Sequence, residues 1–413
     1  MHPTLRGARA VRVFLCFALG YLLSYALRAV NAVIAPSLVA ELGMSNADLG
    51  LLSSAFFVAT SCMQLPLGIW LDRYGARRTE SALLLCAAAG AVVFATSTSF
   101  AGLWVGRALI GIGVSACLMA SLKAFRQWFA LEQQHQLASW MLVAGTAGAL
   151  SATLPVTLVL PLIGWRAMFW IVAALLLLLA AALFFLLREV EHGFPQALQT
   201  VPGNVNNGGY PRIFGDVYFW RMGLLGLVNH GIFFALQTLW AGPWMTTVLG
   251  KTQQQTGQIL FTFNLVLMLS YLAMGWGAPR LVARGWHVHR LIALGIGGMV
   301  LAQGAMLPSQ AGAAWLLWLP LAMCVPITTL VQAHVSMAFP AALAGRANAA
   351  YNLLLFVGAF ATQWSFGLLV DALKGHGIGA ADAFRITLGV AVALQTGALA
   401  FFVLNRAVPV ETA

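Results

Sequence analysis

Charge is what this chain has least of. Only 8% of its 413 residues are Asp, Glu, Lys or Arg, against about 25% in a soluble domain. A chain so poor in charge cannot clothe a water-facing surface, and 61% of it is hydrophobic. The bilayer must serve as its solvent. Acids are the scarcest charges, 11 against 22 Lys and Arg, for a net charge of +11. In a soluble protein that surplus would point to nucleic acid; in an apolar chain it points to loops on one side of a membrane, so no nucleic-acid partner is expected. Cysteine is sparse and unpatterned. Cys16, Cys62, Cys86, Cys117 and Cys324 each fall inside an apolar run with no metal-ligand spacing, and are expected as small core residues. There is no Gly-x-Ser-x-Gly elbow, no glycine-lysine nucleotide loop and no His/Cys grouping; His287 and His289 form only a pair in a basic loop. These absences speak against an enzyme, a metal, a cofactor and ATP as the energy source. A gradient of solute or ion remains. A cleavable leader is not expected either, because the first apolar run, 11–40, is too long and contains an arginine.

What the chain does have is one long apolar run after another, each near the 20 residues a membrane helix needs. Cutting at charged, polar and Gly/Pro clusters predicts about twelve helices. They cover 11–40, 47–71, 79–99, 101–126, 135–162, 166–188, 217–247, 255–279, 288–307, 312–339, 346–371 and 383–405. The expected class is an all-α membrane protein. With the N-terminus inside, most basic residues fall on the cytoplasmic side and only Arg166, Lys251, Lys374 and Arg385 fall outside. This bias predicts both termini in the cytoplasm. The longest break, 189–215, is acidic and then rich in Pro, Gly and Asn, and predicts a flexible cytoplasmic linker. It divides the chain into a six-helix bundle over 1–188 and another over 216–413.

The most distinctive stretch joins the second and third predicted helices: Gly68, Asp72, Arg73, Gly75, Arg77 and Arg78, spaced G-x-x-x-D-R-x-G-x-R-R. Glycines permit a tight turn there. The arginines suit helix C-termini or lipid phosphate, and Asp72 suits a helix N-terminus. Gly275, Arg280 and Arg284 occupy the corresponding junction of the second half, with Pro279 where Asp72 stands in the first. The fourth predicted helix carries Arg107 followed by Gly111 and Gly113, glycines that let helices approach closely. The loop spacing and the R-x-x-x-G-x-G pattern resemble the signatures of the major facilitator superfamily of transporters. That resemblance implies a twelve-helix fold of two six-helix halves related by a pseudo-twofold, with a solute site near the midplane. The glycine-proline motif of drug antiporters is not matched in the fifth helix, where Gly145 and Gly148 stand.

Polar side chains deep in hydrocarbon are costly and usually functional. Arg28 stands out, near the middle of the first run, with Ser24 and Asn31 at helical spacing and Tyr21 and Tyr25 alongside. By the cuts above every acid falls in a loop or at a helix end, so the expected counter-charge of Arg28 is an anionic solute held by a guanidinium fork. The text from Tyr25 through Gly50, Phe56 and Gln64 resembles the anion:cation symporter and organophosphate branch of the superfamily. There a first-helix arginine contacts the anion, a role the resemblance implies for Arg28. That branch often places acids beside this arginine and on the fourth helix, where this chain has Leu27 and no acid. Coupling to a proton or other cation is then expected from His230, His334 or Arg107. Further solute contacts are expected from His230, Gln237, Asn264 and Asn352, which share polar stripes in the second half. The expected function is ion-coupled uptake of a small organic anion by a monomer in a bacterial-type inner membrane, with lipid as its other partner. Efflux of a drug or metabolite is the alternative, and a non-transporting membrane receptor a third.

Overall fold

A computed structural model of the chain describes residues 5, 7–130, 133–193, 209–308 and 312–405. Among the described residues there is no strand. Among these residues ten helical segments are long and apolar enough to cross a membrane. The two other expected spans, 47–71 and 135–162, are also helical, within the segments that follow. Large apolar side chains face outward, with Leu162, Leu301 and Leu404 exposed by 82%, 75% and 80%. That outer face is compatible with lipid and not with water, and the chain is an all-α, multi-pass membrane protein.

The chain divides into two compact units. The first comprises Met1–Met44 and Ala55–Leu198, the second Ser45–Ser54 and Gln199–Ala413. In the first, the run expected as one helix over 11–40 is α1 (Gly7–Ala29) and α2 (Asn31–Leu42), which meet at Val30, itself in helical conformation with φ −59° and ψ −28°. α3 (Asn46–Thr96), whose residues up to Ser54 count with the second unit and the rest with the first, is two helices joined at Gly75, whose φ of 80° and ψ of 167° a side-chain-bearing residue rarely adopts. The expected loop is thus a single bend. The fourth predicted helix is α4 (Phe100–Val114) and α5 (Cys117–Trp128). The expected helix 135–162 breaks earlier than its hydropathy suggests. α6 (Gln134–Ser151) ends before Pro155, and α7 (Leu154–Leu186) starts with that proline in its first turn, where its missing N–H goes unnoticed. A second bend, at Gly164 with φ 73°, divides α7 where the sequence predicts a loop.

Around the expected linker, Arg188–Gly193 (α8) and Gly209–Phe214 (α9) are short helices, and 194–208 lie outside the described residues. In the second unit, α10 (Val217–Ala235) runs through a π-helical turn, Leu236–Trp240, into α11 (Ala241–Thr247). α12 (Gln253–Ala283) and α13 (Val288–Met306) follow. The span holding Pro320 and Pro326 is fragmented: 3-10 turns at Ala313–Leu317 and Val325–Ile327 flank α14 (Trp318–Cys324), before α15 (Thr328–Met337). Each proline removes a backbone donor, and Pro326 falls within the second 3-10 turn. α16 (Ala341–Gly375) and α17 (Ala380–Leu404) complete the chain.

Glycine sets the closest helix contacts, and in the same way in both units. A methyl added to Gly148 of α6 would strike the Leu22 carbonyl oxygen of α1; one added to Gly358 of α16 would strike that of Leu227 on α10. Gly111 sits against the Phe56 carbonyl, where a methyl would come within 2.5 Å, and Gly113 against the backbone of Ala87. Backbones meet here without intervening side chains, as small residues allow in membranes. The cysteines divide: Cys16 and Cys117 are buried, Cys86 and Cys324 partly so, and Cys62 is exposed rather than in the core.

Candidate functional site

Arg28 lies in the last turn of α1 and is 9% exposed. Its guanidinium carbon is 4.6 Å from the centre of the Tyr25 ring and 5.5 Å from that of Phe56. Arg107 is buried and faces the same Phe56 ring at 5.6 Å. Two cations thus share one aromatic partner, which the sequence places in the region of interest without marking it as special. Tyr25 stands one turn before Arg28 and meets Tyr21 edge to face at 4.9 Å. Gly145 of α6 lies against both tyrosine rings. Ser24 and Asn31 are buried on either side of Arg28 along the chain. Arg107 donates from Nη1 to the Leu27 carbonyl at 2.8 Å. That carbonyl belongs to the last turn of α1, where carbonyls are open to side-chain donors.

Elsewhere the same device recurs. Lys123 donates to the Leu71 carbonyl at 2.8 Å and Thr79 to that of Trp70 at 3.1 Å, ahead of the bend at Gly75. Arg77 donates to the Phe184 carbonyl near the end of α7 at 2.6 Å and pairs with Glu191 at 2.5 Å. Arg221 donates to Phe402 near the end of α17 at 3.0 Å. Arg166 donates to the Ser97 carbonyl at 2.8 Å and also pairs with Glu41. Basic side chains take the free carbonyls of helix C-termini, where the dipole favours them. In a chain with twice as many cations as acids, this gives many cations an anionic surface without a carboxylate. In the glycine- and arginine-rich junction at 68–78, Arg73 lies over the Tyr74 ring at 5.4 Å, Arg73 and Arg78 are exposed, and Gly68 has open space around it. The side chain of Asp72 lies outside the described residues.

In the second unit, Gln237 occupies the π-helical turn and donates to Asn264 Oδ1 at 2.9 Å, while Asn264 donates to the Leu260 carbonyl at 2.8 Å. A π turn widens the helix and often accompanies a functional residue. Gln363 donates to Thr238 of the same turn at 3.1 Å. His230 packs edge-on to Phe234 at 4.5 Å. Asn352 is apart from these in its bonding: with Asn348 it accepts from Gln332, at 3.2 and 3.0 Å. His334 faces the His289 ring at 5.5 Å, and His289 lies 3.4 Å from the Tyr218 hydroxyl. The structure therefore joins Gln237 with Asn264, and Arg28 with Tyr25 and, through Phe56, Arg107. It gives His334 a neighbour, His289, that the sequence assigns to a loop.

One expectation needs correction. The sequence cuts put every acid, Glu80 among them, in a loop or at a helix end. Glu80 is fully buried, beneath Gly20 of α1. The error is one of boundaries: the second half of α3 starts at the Gly75 bend and not at Thr79, so Glu80 is a turn and more inside it. The signal available is the Thr79-Glu80-Ser81 cluster, which reads equally well as a helix start.

Comparison with known proteins places this geometry. A sequence model of the Major Facilitator Superfamily matches residues 17–362. The chain is 30% identical over 160 residues to the hexuronate transporter of Escherichia coli K12, a match covering 38% of this chain and 36% of that one. Relatives matched at 30% identity or more are all covered over 36% of their own length or less. The membrane sensor protein UhpC of Escherichia coli K12 is 24% identical over 97% of this chain and 93% of its own. Among solved structures, a bacterial homologue of the human lysosomal transporter Spinster superposes with a TM-score of 0.82 at 17% identity, over 97% of both chains.

Proposed function

The chain belongs to the Major Facilitator Superfamily, and from that premise we propose that it carries a small organic anion across a bacterial-type inner membrane by alternating access. The observation that carries this reading is Arg28: a guanidinium buried in an apolar span, flanked by the rings of Tyr25 and Phe56. Aromatic faces suit the flat sides of the cation, and the edge of its fork is the part that matches a carboxylate. Matched relatives that are named as transporters carry hexuronate, sulfoacetate, galacturonate, or nitrate and nitrite, all anions. In this proposal Arg28 receives the anionic group, with Tyr25 and Asn31 beside it. His230, Gln237, Asn264 and Asn352 are the contacts proposed for the uncharged remainder of the solute. Uptake, coupling to a cation, and cytoplasmic termini belong to the same reading.

A screen of purified protein against acids tests it. A ligand present at 100 times its Kd adds about 2.7 kcal/mol to the folded state. D-glucuronate or a related sugar acid is expected to raise the unfolding temperature by several degrees, and D-glucose to leave it unchanged. A rise with a hydrophobic cation and none with any acid supports efflux of a drug instead. The match to a membrane sensor along nearly the whole chain favours a second reading, a receptor that binds its anion without moving it. Ligand binding with no uptake into liposomes would select that reading.

A further inference from the structure

Glu80 is fully buried within the first unit, and neither carboxyl oxygen accepts a hydrogen bond from an N–H or O–H group among the described residues. Among the described residues Glu80 forms no ion pair. From α1 comes the backbone of Gly20, where a methyl would lie 2.6 Å from Oε1. From α5 comes the thiol of Cys117, a weak donor, and α7 brings the apolar Leu179 to the same spot. On its own helix, Arg77 is turned away to Glu191 and the Phe184 carbonyl. An ionised carboxylate sealed this way costs several kcal/mol, and the group avoids that cost by binding a proton.

We propose that Glu80 is a proton-binding site of the transport cycle, separate from the anion site and not among the groups the sequence suggests for coupling. The carboxylate takes one proton from water when a conformational change opens it, keeps that proton as a neutral acid in the packing described here, and returns it to water when opened again. Conformations that seal Glu80 are then accessible only to the protonated protein. Gly20 is two turns from Arg28, about 12 Å along α1. A proton at Glu80 and a monovalent anion at Arg28 would move together with no net charge. Protonation of Glu80 stands without the anion reading; its coupling role rests on that reading.

Infrared difference spectra of the full chain in liposomes, wild type minus Glu80→Gln, test the first part. The carbonyl stretch of a neutral carboxylic acid is expected at neutral pH in the wild type and lost in the variant. A carboxylate band in its place overturns the proposal. In the same liposomes, uptake of labelled D-glucuronate by the wild type is expected to rise several-fold when the outside is acidic relative to the lumen. Glu80→Gln is expected to lose that dependence and Glu80→Asp, which can carry a proton, to recover part of it. A Gln variant as responsive as the wild type overturns the coupling role. A wild type that ignores glucuronate counts against the substrate, and the infrared bands alone then decide whether Glu80 holds a proton.

Discussion

Replacing Arg28 with Gln is expected to lower the uptake of D-glucuronate by about 30-fold or more. Truncating one partner of a buried, hydrogen-bonded charge pair costs about 2–5 kcal/mol, and ~2 kcal/mol is a factor of about 30. Arg28→Lys keeps the charge but loses the planar fork and its stacking on Tyr25 and Phe56, so its uptake should fall between the two. The variants should remain folded. Removing a cation–π interaction costs about 0.5–1 kcal/mol, which lowers the unfolding temperature modestly. Unchanged uptake in a well-folded Gln variant would remove Arg28 from the solute site and leave the family assignment intact.

The second large effect is structural. Gly148→Val and Gly358→Val each force a side chain into a main-chain carbonyl, that of Leu22 or Leu227. A backbone cannot yield as a rotamer can, and overpacking costs about 3 kcal/mol or more in such a place. Each variant is expected to lose most of the monodisperse protein recovered from membranes. Gly397→Ala in α17 is the control: nothing lies within 4 Å of an added methyl there. That change should be neutral or stabilising by up to about 1 kcal/mol, since alanine is the better helix former. Equal effects at all three positions would show that helix propensity, and not close backbone approach, governs these glycines.

The architecture is legible in the sequence because hydropathy reports the solvent of each segment directly. Where it fails, a single residue overrides a run of twenty. Pro155 ends a helix that looks continuous. Gly75 and Gly164 compress expected loops into bends. Val30 separates α1 from α2 with no proline or glycine at the site and with helical backbone angles of its own, and Arg107 holds the Leu27 carbonyl beside it. The site is half legible. Arg28 announces itself because an arginine amid apolar residues is conspicuous. Phe56, the ring shared by Arg28 and Arg107, does not, since one phenylalanine among 25 carries no mark. Glu80 is visible but reads as a helix end, because sequence position says little about depth when the helix continues through a bend.

The charge balance has a physical account as well. With twice as many cations as acids, ion pairs alone cannot satisfy the basic residues. Arg77, Arg107, Lys123, Arg166 and Arg221 each donate to a carbonyl in the last turn of a helix or just past its end. The surplus of positive charge is thus a structural reagent, tying the end of one helix to the side of another. Arg28 sits in the same kind of position, in the last turn of α1, and the anion reading requires that it do more than serve that end.

Uptake in proteoliposomes decides this. Wild-type protein is offered labelled D-glucuronate and, separately, labelled D-glucose, molecules alike except for the carboxylate. Glucuronate is expected to accumulate and glucose to stay outside. Equal transport of both, or transport of the neutral sugar alone, would contradict the claim that a buried guanidinium selects the cargo by its negative charge.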